Sequence, residues 1–366
     1  MDEKFMSLAL SLAKKGIGQV NPNPLVGAVI VKNNKVISSG YHEKFGENHA
    51  EINAINSAKE NLKDSTIYVT LEPCCHSGKT PPCVKALIKH KFKKVVIGTL
   101  DPNPLVSGKS VKILKDANID VVVGVLEEEC KNLNEKFNKF ITSKLPFVTM
   151  KYAMTLDGKI ATYTNDSKWI SCETSRKYVQ NLRNENSGIM VGINTILKDN
   201  PSLNCRINDF KSPIRIIIDS TLKIPLNAKV LNLNDNVKTI IATTKFKDKN
   251  KEKLLIEKFK SNVEILQCND KNKKVDLKDL MIKLGEKNID SILLEGGATL
   301  NYSALEEKIV DKILSFISPK IIGGTNSLSA IGGQGKALIK DGFILKNLSF
   351  KKIDKDILVE GYLGGE

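Results

Sequence analysis

The chain has very little arginine, and this shortage limits what its positive charge can mean. The net charge is +15, but only four of the 56 basic residues are arginines, and the rest are lysines scattered among many asparagines. Diffuse lysine is typical of a solvated surface, whereas nucleic-acid binding places basic residues in a patch or stripe. We therefore expect no nucleic-acid partner. The arginines themselves, all between Arg176 and Arg215, hint at a site for phosphate or carboxylate, which their planar fork fits.

Long apolar runs are also missing, since no stretch reaches the roughly 18 residues of a membrane span. Near the start, Asp2, Glu3, Lys14 and Lys15 interrupt apolar positions at helical spacing, which predicts an amphipathic helix and not a signal peptide. Seven cysteines in 366 residues, with no export signal, favour metal ligands and free thiols over a disulfide framework. We expect a soluble, cytoplasmic protein that has no contact with a membrane.

Length and local breakers predict two domains. The chain exceeds the usual size of one domain, and Pro146 ends a charged helix just before a new strand. The predicted units are residues 1–144 and 145–366. Strands alternate with helical segments in both, which indicates α/β architecture with covered sheet faces.

A zinc site is predicted by His49, Cys74 and Cys83. One His and two Cys suit zinc and leave a fourth tetrahedral position for water, whose pKa zinc lowers from about 15.7 to roughly 7. Glu51, two residues after the histidine, is placed to move protons. His-x-Glu followed by Pro-Cys-x-x-Cys is the signature of zinc nucleobase deaminases, but here eight residues separate the cysteines. A structural zinc site completed by Cys75 or His76 stays open from composition alone.

Polar residues around this motif are candidates for a substrate pocket. They are Asn23 in a Pro-flanked turn, His42 on an edge strand, Lys79 between the cysteines, and Asp101 and Asn103 after a strand end. The ends of strands are where α/β sheets bind ligands. A buried core histidine at His42 and ordinary turn chemistry at Asp101 remain alternatives.

The second unit contains a strand that runs into Glu295-Gly296-Gly297 and then a helix. This arrangement lets backbone N–H groups approach a phosphate at a helix start. Because the pattern is not Gly-x-Gly-x-x-Gly, the Rossmann fingerprint is absent. Alone, the segment is ambiguous between a loop and a dinucleotide contact.

Several segments together carry a resemblance to a known family. They are Asn21-Pro22-Asn23-Pro24-Leu25-Val26-Gly27, His49-Ala50-Glu51, Glu72-Pro73-Cys74, Thr80-Pro81-Pro82-Cys83, Asp101-Pro102-Asn103-Pro104, Thr155 to Ala161, Asp199-Asn200-Pro201 and Glu295-Gly296-Gly297. The chain resembles the bifunctional riboflavin-biosynthesis deaminase–reductase family over nearly its whole length. The long loop between Cys74 and Cys83 is specific for this family among zinc deaminases.

The resemblance implies a cytidine-deaminase-like three-layer α/β/α domain over 1–144 and a dihydrofolate-reductase-like α/β domain over 145–366. The first would hold one Zn²⁺ and hydrolyse the 2-amino group of 2,5-diamino-6-(5-phosphoribosylamino)pyrimidin-4(3H)-one, with Glu51 as the catalytic proton carrier. The second would use NADPH to reduce the ribosyl side chain of 5-amino-6-(5-phosphoribosylamino)uracil to ribityl. The resemblance also implies small phosphorylated pyrimidines as partners and a homo-oligomeric state.

The same resemblance assigns residues to the reductase site. Substrate would be lined by Lys151, Ser167, Arg183, Leu203, Arg206 and Glu295. NADPH would be held by Ala153, Trp169, Thr195, Asp199, Thr221, Gly296 and Gly297. The competing hypotheses are a nucleic-acid or nucleoside zinc deaminase with an unrelated C-terminal domain, and a structural-zinc module in which Glu51 has no role.

Overall fold

The computed structural model describes residues 1–75, 81–103, 106–207 and 210–364. The chain forms two compact units, Met1–Lys144 and Leu145–Glu366, and each is described by itself below. In these described ranges, no helix combines the length and the apolar character needed to cross a bilayer.

The first unit is a five-stranded sheet with helices on both faces. Its elements are α1 (Asp2–Ala13), a 3-10 helix (Lys14–Gly16), β1 (Gly27–Lys32), β2 (Lys35–Tyr41), α2 (Ala50–Asn56), β3 (Thr66–Leu71), α3 (Cys83–Lys89), β4 (Lys94–Thr99), α4 (Lys109–Asp116), β5 (Asp120–Val123), α5 (Glu127–Leu133) and α6 (Glu135–Ser143). The strand order is β2-β1-β3-β4-β5. β1 is antiparallel to both neighbours, while β3, β4 and β5 are parallel.

Alternation along the strands builds two separate cores. On β3, Ile67 and Val69 pack with Leu87 of α3 on one face of the sheet, whereas Tyr68 packs with Phe5 of α1 on the other. This is the two-residue period of a strand that is buried on both sides. The predicted three-layer α/β/α arrangement is therefore confirmed.

Gly27 allows α1 to lie directly on β1. A Cβ at this position would stand 2.0 Å from the carbonyl oxygen of Ala9, closer than real atoms approach. A glycine inside a strand marks close approach of either a ligand or another backbone, and here the neighbour is a backbone.

The second unit is built on a nine-stranded sheet. Its elements are β6 (Phe147–Thr155), β7 (Lys159–Ala161), α7 (Glu173–Glu185), β8 (Gly188–Gly192), α8 (Ile193–Asp199), β9 (Ile214–Ile218), β10 (Thr239–Thr243), α9 (Lys249–Phe259), β11 (Val263–Gln267), β12 (Asp270–Lys271), β13 (Lys274–Val275), α10 (Leu277–Glu286), β14 (Ser291–Leu294), α11 (Ala298–Glu306), β15 (Lys312–Ser318), β16 (Leu328–Ser329), β17 (Leu345–Ile353) and β18 (Asp356–Leu363), with 3-10 turns at Lys229–Leu231, Lys260–Asn262 and Ile339–Asp341.

The order of strands in this sheet is β11-β10-β9-β8-β14-β6-β15-β18-β17. The first seven strands are parallel, and β18 and β17 close the sheet in antiparallel fashion. Helices α10 and α11 cover one face, and α7, α8 and α9 cover the other. The carboxyl ends of β8, β9 and β14 therefore open at one edge, where ligands bind in α/β sheets.

The sequence pattern predicts a helix that opens at His49 and runs to about Lys63, and an amphipathic helix over residues 269–288, and both are shorter in the structure. The helix that starts after His49 ends at Asn56 and not near Lys63, because the Ser57 hydroxyl donates to the carbonyl of Ser39 at 2.9 Å and ties the helix end to β2. In the segment predicted to be helical over residues 269–288, residues 270–275 instead form the β12–β13 hairpin. Its turn places Asn272 and Lys273 at φ 54° and 62°, the left-handed geometry of a two-residue hairpin turn.

Candidate functional sites

The first unit brings His49, Cys74 and Cys83 together from three different elements. His49 is the residue before α2, Cys74 follows the end of β3, and Cys83 is the first residue of α3. The Nδ1 atom of His49 lies 3.5 Å from the sulfur of Cys74 and 3.4 Å from that of Cys83. The three ligand atoms lie within 4.8 Å of one another.

These separations fit tetrahedral zinc. Zn–N bonds of about 2.0–2.1 Å and Zn–S bonds of about 2.3 Å place nitrogen and sulfur roughly 3.6 Å apart at a tetrahedral centre. Cys75 is half-buried and packs against the hydrophobic core of this face, so it does not complete the site. His76, the other candidate for a fourth ligand, lies outside the described residues, as does Lys79.

Hydrogen bonds prepare one of the two thiols for metal binding. Donation from the Cys83 thiol lowers the pKa of Cys74 to about 4, and this shared proton raises the pKa of Cys83. The backbone N–H of Cys83 also donates to the Cys74 sulfur at 3.3 Å. The thiolate is the form that binds metal.

Glu51 lies in the first turn of α2 and is only 3% exposed. Burial raises the pKa of its carboxyl group above the ordinary value. Glu51, His49 and Cys74 all line a cavity of about 340 Å³. A carboxyl group with a raised pKa, next to a metal site, is suited to accept and return a proton.

The polar wall of this cavity contains four of the predicted pocket residues: Asn23, His42, Asp101 and Asn103. The ring of His42 is held on both sides, because its Nδ1–H donates to the Asn48 carbonyl at 2.9 Å and its Nε2 accepts from the Asn23 amide at 3.1 Å. Burial lowers the pKa of His42. His42 is thus both a satisfied buried histidine and a wall of the pocket.

In the second unit, three charged side chains meet beneath the carboxyl end of β14. Arg183 donates to both oxygens of Glu295, at 2.8 Å from Nε and 3.0 Å from Nη2. Burial opposes ionisation of Glu295, but the charges of Arg183 and Lys151 hold its pKa at about 2. Burial lowers the pKa of Lys151, and the charge of Arg183 adds to the effect.

A second, larger cavity of about 760 Å³ opens at the carboxyl ends of β8, β9 and β14. Ser167, Thr195, Asp199 and Gly297 are the predicted site residues that line it. Four other residues predicted to hold NADPH lie outside the lining of this cavity: Ala153, Trp169, Thr221 and Gly296. Of these, Thr221 and Gly296 each adjoin a residue that lines it. The size is typical of a cofactor pocket.

The four arginines serve different purposes. Arg183 pairs with Glu295, and Arg176 stacks 4.6 Å above the exposed ring of Trp169. Arg206 is exposed, on the same loop as the buried Leu203. Arg215, in contrast, is 1% exposed and bonds to the carbonyls of Ser202 and Val237 and to the carboxylate of Asp235. The sequence clustering therefore mixes a structural arginine with the candidates for anion binding.

Both units match known families. Residues 146–359 match the RibD C-terminal domain, and residues 1–99 match the cytidine and deoxycytidylate deaminase zinc-binding region. The riboflavin biosynthesis protein RibD of Actinobacillus pleuropneumoniae is 49% identical over 360 residues, which is 98% of this chain and 94% of that protein. The chain belongs to the RibD family.

Solved structures agree over the full length. Acinetobacter baumannii RibD aligns with a TM-score of 0.86 and 34% identity, covering 100% of this chain and 99% of that one. The diaminohydroxyphosphoribosylaminopyrimidine deaminase/5-amino-6-(5-phosphoribosylamino)uracil reductase of Thermotoga maritima aligns with a TM-score of 0.84 and 39% identity, covering 99% of each chain. The chain is thus a riboflavin-biosynthesis enzyme with a zinc-binding deaminase domain and a reductase domain, and a deaminase with an unrelated C-terminal domain is not favoured.

Other residues of this RibD-family chain shape the deaminase cavity and were not found from the sequence. Phe137 and Ile141 of α6 provide an apolar wall. The Asn134 side chain fixes the start of α6 to the segment that carries Asn23, since it accepts from the Leu25 N–H at 2.8 Å and donates to the Leu25 carbonyl at 2.9 Å. Only the amphipathic pattern of α6 hints at this wall in the sequence.

Glu72 is a further residue whose task the sequence does not reveal. Its buried carboxylate accepts from the backbone N–H groups of Asp101 at 3.3 Å, Gly108 at 2.9 Å and Ser110 at 3.1 Å. It thereby joins the segment after β3, which carries Cys74, to the loop after β4 and to the start of α4. Glu72 positions two walls of the pocket at once.

Proposed function

We propose that the chain catalyses two successive reactions of riboflavin biosynthesis. Residues 1–144 hydrolyse the 2-amino group of 2,5-diamino-6-(5-phosphoribosylamino)pyrimidin-4(3H)-one. Residues 145–366 then reduce the ribosyl side chain of 5-amino-6-(5-phosphoribosylamino)uracil to ribityl with NADPH. The observation that carries the proposal is the triangle of His49, Cys74 and Cys83, with Glu51 buried at the same cavity.

In the deaminase domain, His49, Cys74 and Cys83 hold one Zn²⁺. When bound, zinc supplies a water activated for attack on the ring carbon that bears the amine. Glu51 would take one proton of that water and deliver it to the ring nitrogen as the C–O bond forms, and would then take the remaining hydroxyl proton and deliver it to the amino group, so that the C–N bond breaks and ammonia departs.

The remaining residues of the deaminase site orient the substrate. Asn23 presents its amide oxygen to the pyrimidine, His42 orients that amide and contacts the substrate with its ring, and Asp101 and Asn103 present polar groups from the loop after β4. Lys79 is proposed to contact the same substrate. The apolar wall of α6 keeps bulk water away, which strengthens each polar contact inside the cavity.

In the reductase domain, NADPH supplies the hydride when it is bound. We assign Thr195, Asp199 and Gly297 to the nucleotide because they line the larger cavity. When NADPH is bound, the backbone N–H groups at the start of α11 would hold its pyrophosphate. The proposed nucleotide set is completed by Ala153 and Trp169, and by Thr221 and Gly296, which each adjoin a residue that lines the cavity.

Substrate for the reduction is bound by a charged group and by the loop beside it. Lys151, Arg183 and Glu295 contact the opened ribose, and Ser167 and Leu203 line the approach to it. Arg206, whose guanidinium is exposed, binds the substrate phosphate, because a planar fork can donate two parallel hydrogen bonds to phosphate oxygens.

The protein is further proposed to act as a homo-oligomer in the cytoplasm. β17 is an edge strand of the nine-stranded sheet, and its Leu348 and Phe350 are 62% and 83% exposed. An apolar edge of this kind is suited to pairing with a second chain. All seven cysteines are free thiols, as expected in a reducing compartment. Light scattering coupled to gel filtration measures the oligomeric state, and a monomer at micromolar concentration contradicts it.

A coupled assay on zinc-replete protein tests the function. The diaminopyrimidinone phosphate is added, and ammonia release and NADPH oxidation are followed in one sample. We expect ammonia first and NADPH oxidation after it. Ammonia without NADPH oxidation refutes the reductase half, and the absence of both refutes the assigned substrate.

A further inference from the structure

The cavity of about 760 Å³ in the second unit ends at the β12–β13 hairpin, where two lysines line it. Lys271 and Lys274 both line the cavity, together with Ser220, which follows β9, and Gly297, at the start of α11. In the hairpin register, Lys271 is directly opposite Lys274. The turn between them, Asn272-Lys273, fixes this register.

Two like charges directly opposite each other destabilise a hairpin. Nearby lysines of the same unit avoid such a cost by pairing, as Lys283 does with Asp279 at 2.8 Å and Lys287 with Glu264 at 2.6 Å. Within the described ranges, neither Lys271 nor Lys274 has a carboxylate within ion-pair distance. The hairpin thus presents a double positive charge to the cavity.

Acidic residues on the same cavity wall do not cancel this charge. Glu306 is paired with Lys336, and Glu307 accepts the backbone N–H of Leu277 at 3.0 Å. Lys271 acts on both carboxylates only from longer range. An anion that reaches the hairpin therefore meets two ammonium groups with no ion-pair partner of their own.

We propose that Lys271 and Lys274 bind the 2′-phosphate of NADPH and select it over NADH. This inference rests on the proposed reductase function. Gly297, Ser220 and the hairpin line one cavity, so a dinucleotide whose pyrophosphate is held at the start of α11 would have its adenosine end toward Ser220 and the two lysines. A phosphate monoester carries about −1.5 to −2 charge near pH 7, which matches two ammonium groups and relieves their mutual repulsion. NADH carries a hydroxyl at that position and gains nothing from the lysines.

The substrate also carries a phosphate monoester, so the experiment must distinguish binding of the nucleotide's 2′-phosphate from binding of the substrate's phosphate. The nucleotide assignment is favoured because both lysines share a cavity with Thr195 and Gly297, whereas Arg206 lines a different surface, with Arg176 and Lys351. Dissociation constants for NADPH and NADH, measured by calorimetry without substrate, address the nucleotide alone. The KM for the deaminated substrate addresses the other source.

The variants are K271Q, K274Q and the double variant, and K273Q is the matched control because it removes the same charge from the same turn without lining the cavity. Each lysine removed should raise the dissociation constant for NADPH about tenfold. The constants for NADH should change less than twofold, as should both constants in K273Q. Ammonia release and the thermal midpoint report that the variants are folded.

An unchanged NADPH constant in the double variant overturns the inference, as does a raised substrate KM with unaltered nucleotide binding. Equal dissociation constants of NADPH and NADH for the unaltered protein also overturn the inference. In that case, reduction of the substrate with either nucleotide still supports the proposed reductase function. If the unaltered protein binds neither nucleotide, the reductase function itself fails together with this inference.

Discussion

One guanidinium, that of Arg183, joins three parts of the reductase site. It holds both oxygens of Glu295, and its Nη1 donates to the carbonyl of Asn204 at 2.9 Å. The bond to Asn204 fixes the loop that carries Leu203 and Arg206. A carboxylate at the end of β14 therefore sets the position of a loop more than ninety residues earlier in the chain.

The ion pair of Arg183 and Glu295 should make the stability of the reductase unit fall at acid pH. The pKa of Glu295 is about 2 in the folded chain against an ordinary 4.5, so its ionised form favours folding. The contribution is fully present above pH 4.5 and is lost as the pH falls toward 2, and it is on the order of 3 kcal/mol. Thermal unfolding between pH 7 and 2 measures it.

In Glu295→Gln, the unfolding midpoint should already be lower at pH 7, because Arg183 is left buried without its counter-charge. The difference from the unaltered protein should shrink as the pH falls from 4.5 to 2. Glu286→Gln, at an exposed position of α10, serves as the control and should follow the unaltered protein. Parallel curves for the unaltered protein and Glu295→Gln across this range contradict the assignment.

Glu51→Gln should separate metal binding from proton transfer. The amide keeps the size of the side chain but cannot carry a proton, so ammonia release should fall by about 10²–10⁴-fold. Zinc content, measured by atomic absorption, should stay at one per chain. NADPH oxidation with the deaminated substrate should be unaffected, as should both reactions in the exposed control Glu60→Gln. Full deaminase activity in Glu51→Gln would remove Glu51 from the mechanism.

Glu72→Ala should loosen the deaminase pocket without removing the metal. Three backbone N–H groups lose their acceptor, and each buried orphan costs about 1–3 kcal/mol. We expect a lower unfolding midpoint and a several-fold higher KM for the diaminopyrimidinone, with zinc retained. Glu127→Ala breaks only an exposed pair with Lys131 and should change stability by less than about 1 kcal/mol. Equal effects of the two substitutions would show that Glu72 has no positioning role.

Local patterns were enough to predict the zinc triangle and most strands. His49, Cys74 and Cys83 each adjoin a strand end or a helix start, and such boundaries are marked in sequence by β-branched runs and by prolines. Long-range pairing leaves no such mark. The bond between Arg183 and Glu295 spans 112 positions, and nothing near either residue indicates its partner.

In the lysine-rich segments, secondary structure could not be predicted from the sequence for a different reason. Residues 269–288 have an amphipathic pattern, but Asn272 and Lys273 turn the chain into a hairpin before α10 begins. Asn readily adopts the left-handed conformation, whereas a lysine at the next position does not indicate a turn. The antiparallel strands β17 and β18 were missed as well, because β17 exposes most of its side chains and so lacks the alternation of a half-buried strand.

Arg206 and Arg215 lie in the same arginine cluster of the sequence, but a change to lysine should affect different properties at the two positions: substrate binding at Arg206 and stability at Arg215. Arg215→Lys loses hydrogen bonds deep in the core and should lower stability by roughly 3 kcal/mol, with little change in the substrate KM. Arg206→Lys leaves the core intact and should keep the unfolding midpoint within about one degree. Its substrate KM should rise about tenfold, because an ammonium cannot donate two parallel hydrogen bonds to a phosphate, while NADPH binding stays unchanged. Steady-state kinetics and thermal unfolding of the two variants measure these effects.

An unchanged substrate KM in Arg206→Lys means that the phosphate is bound elsewhere. A raised substrate KM in Arg215→Lys without loss of stability means that the loop at Ser202 is held by other contacts.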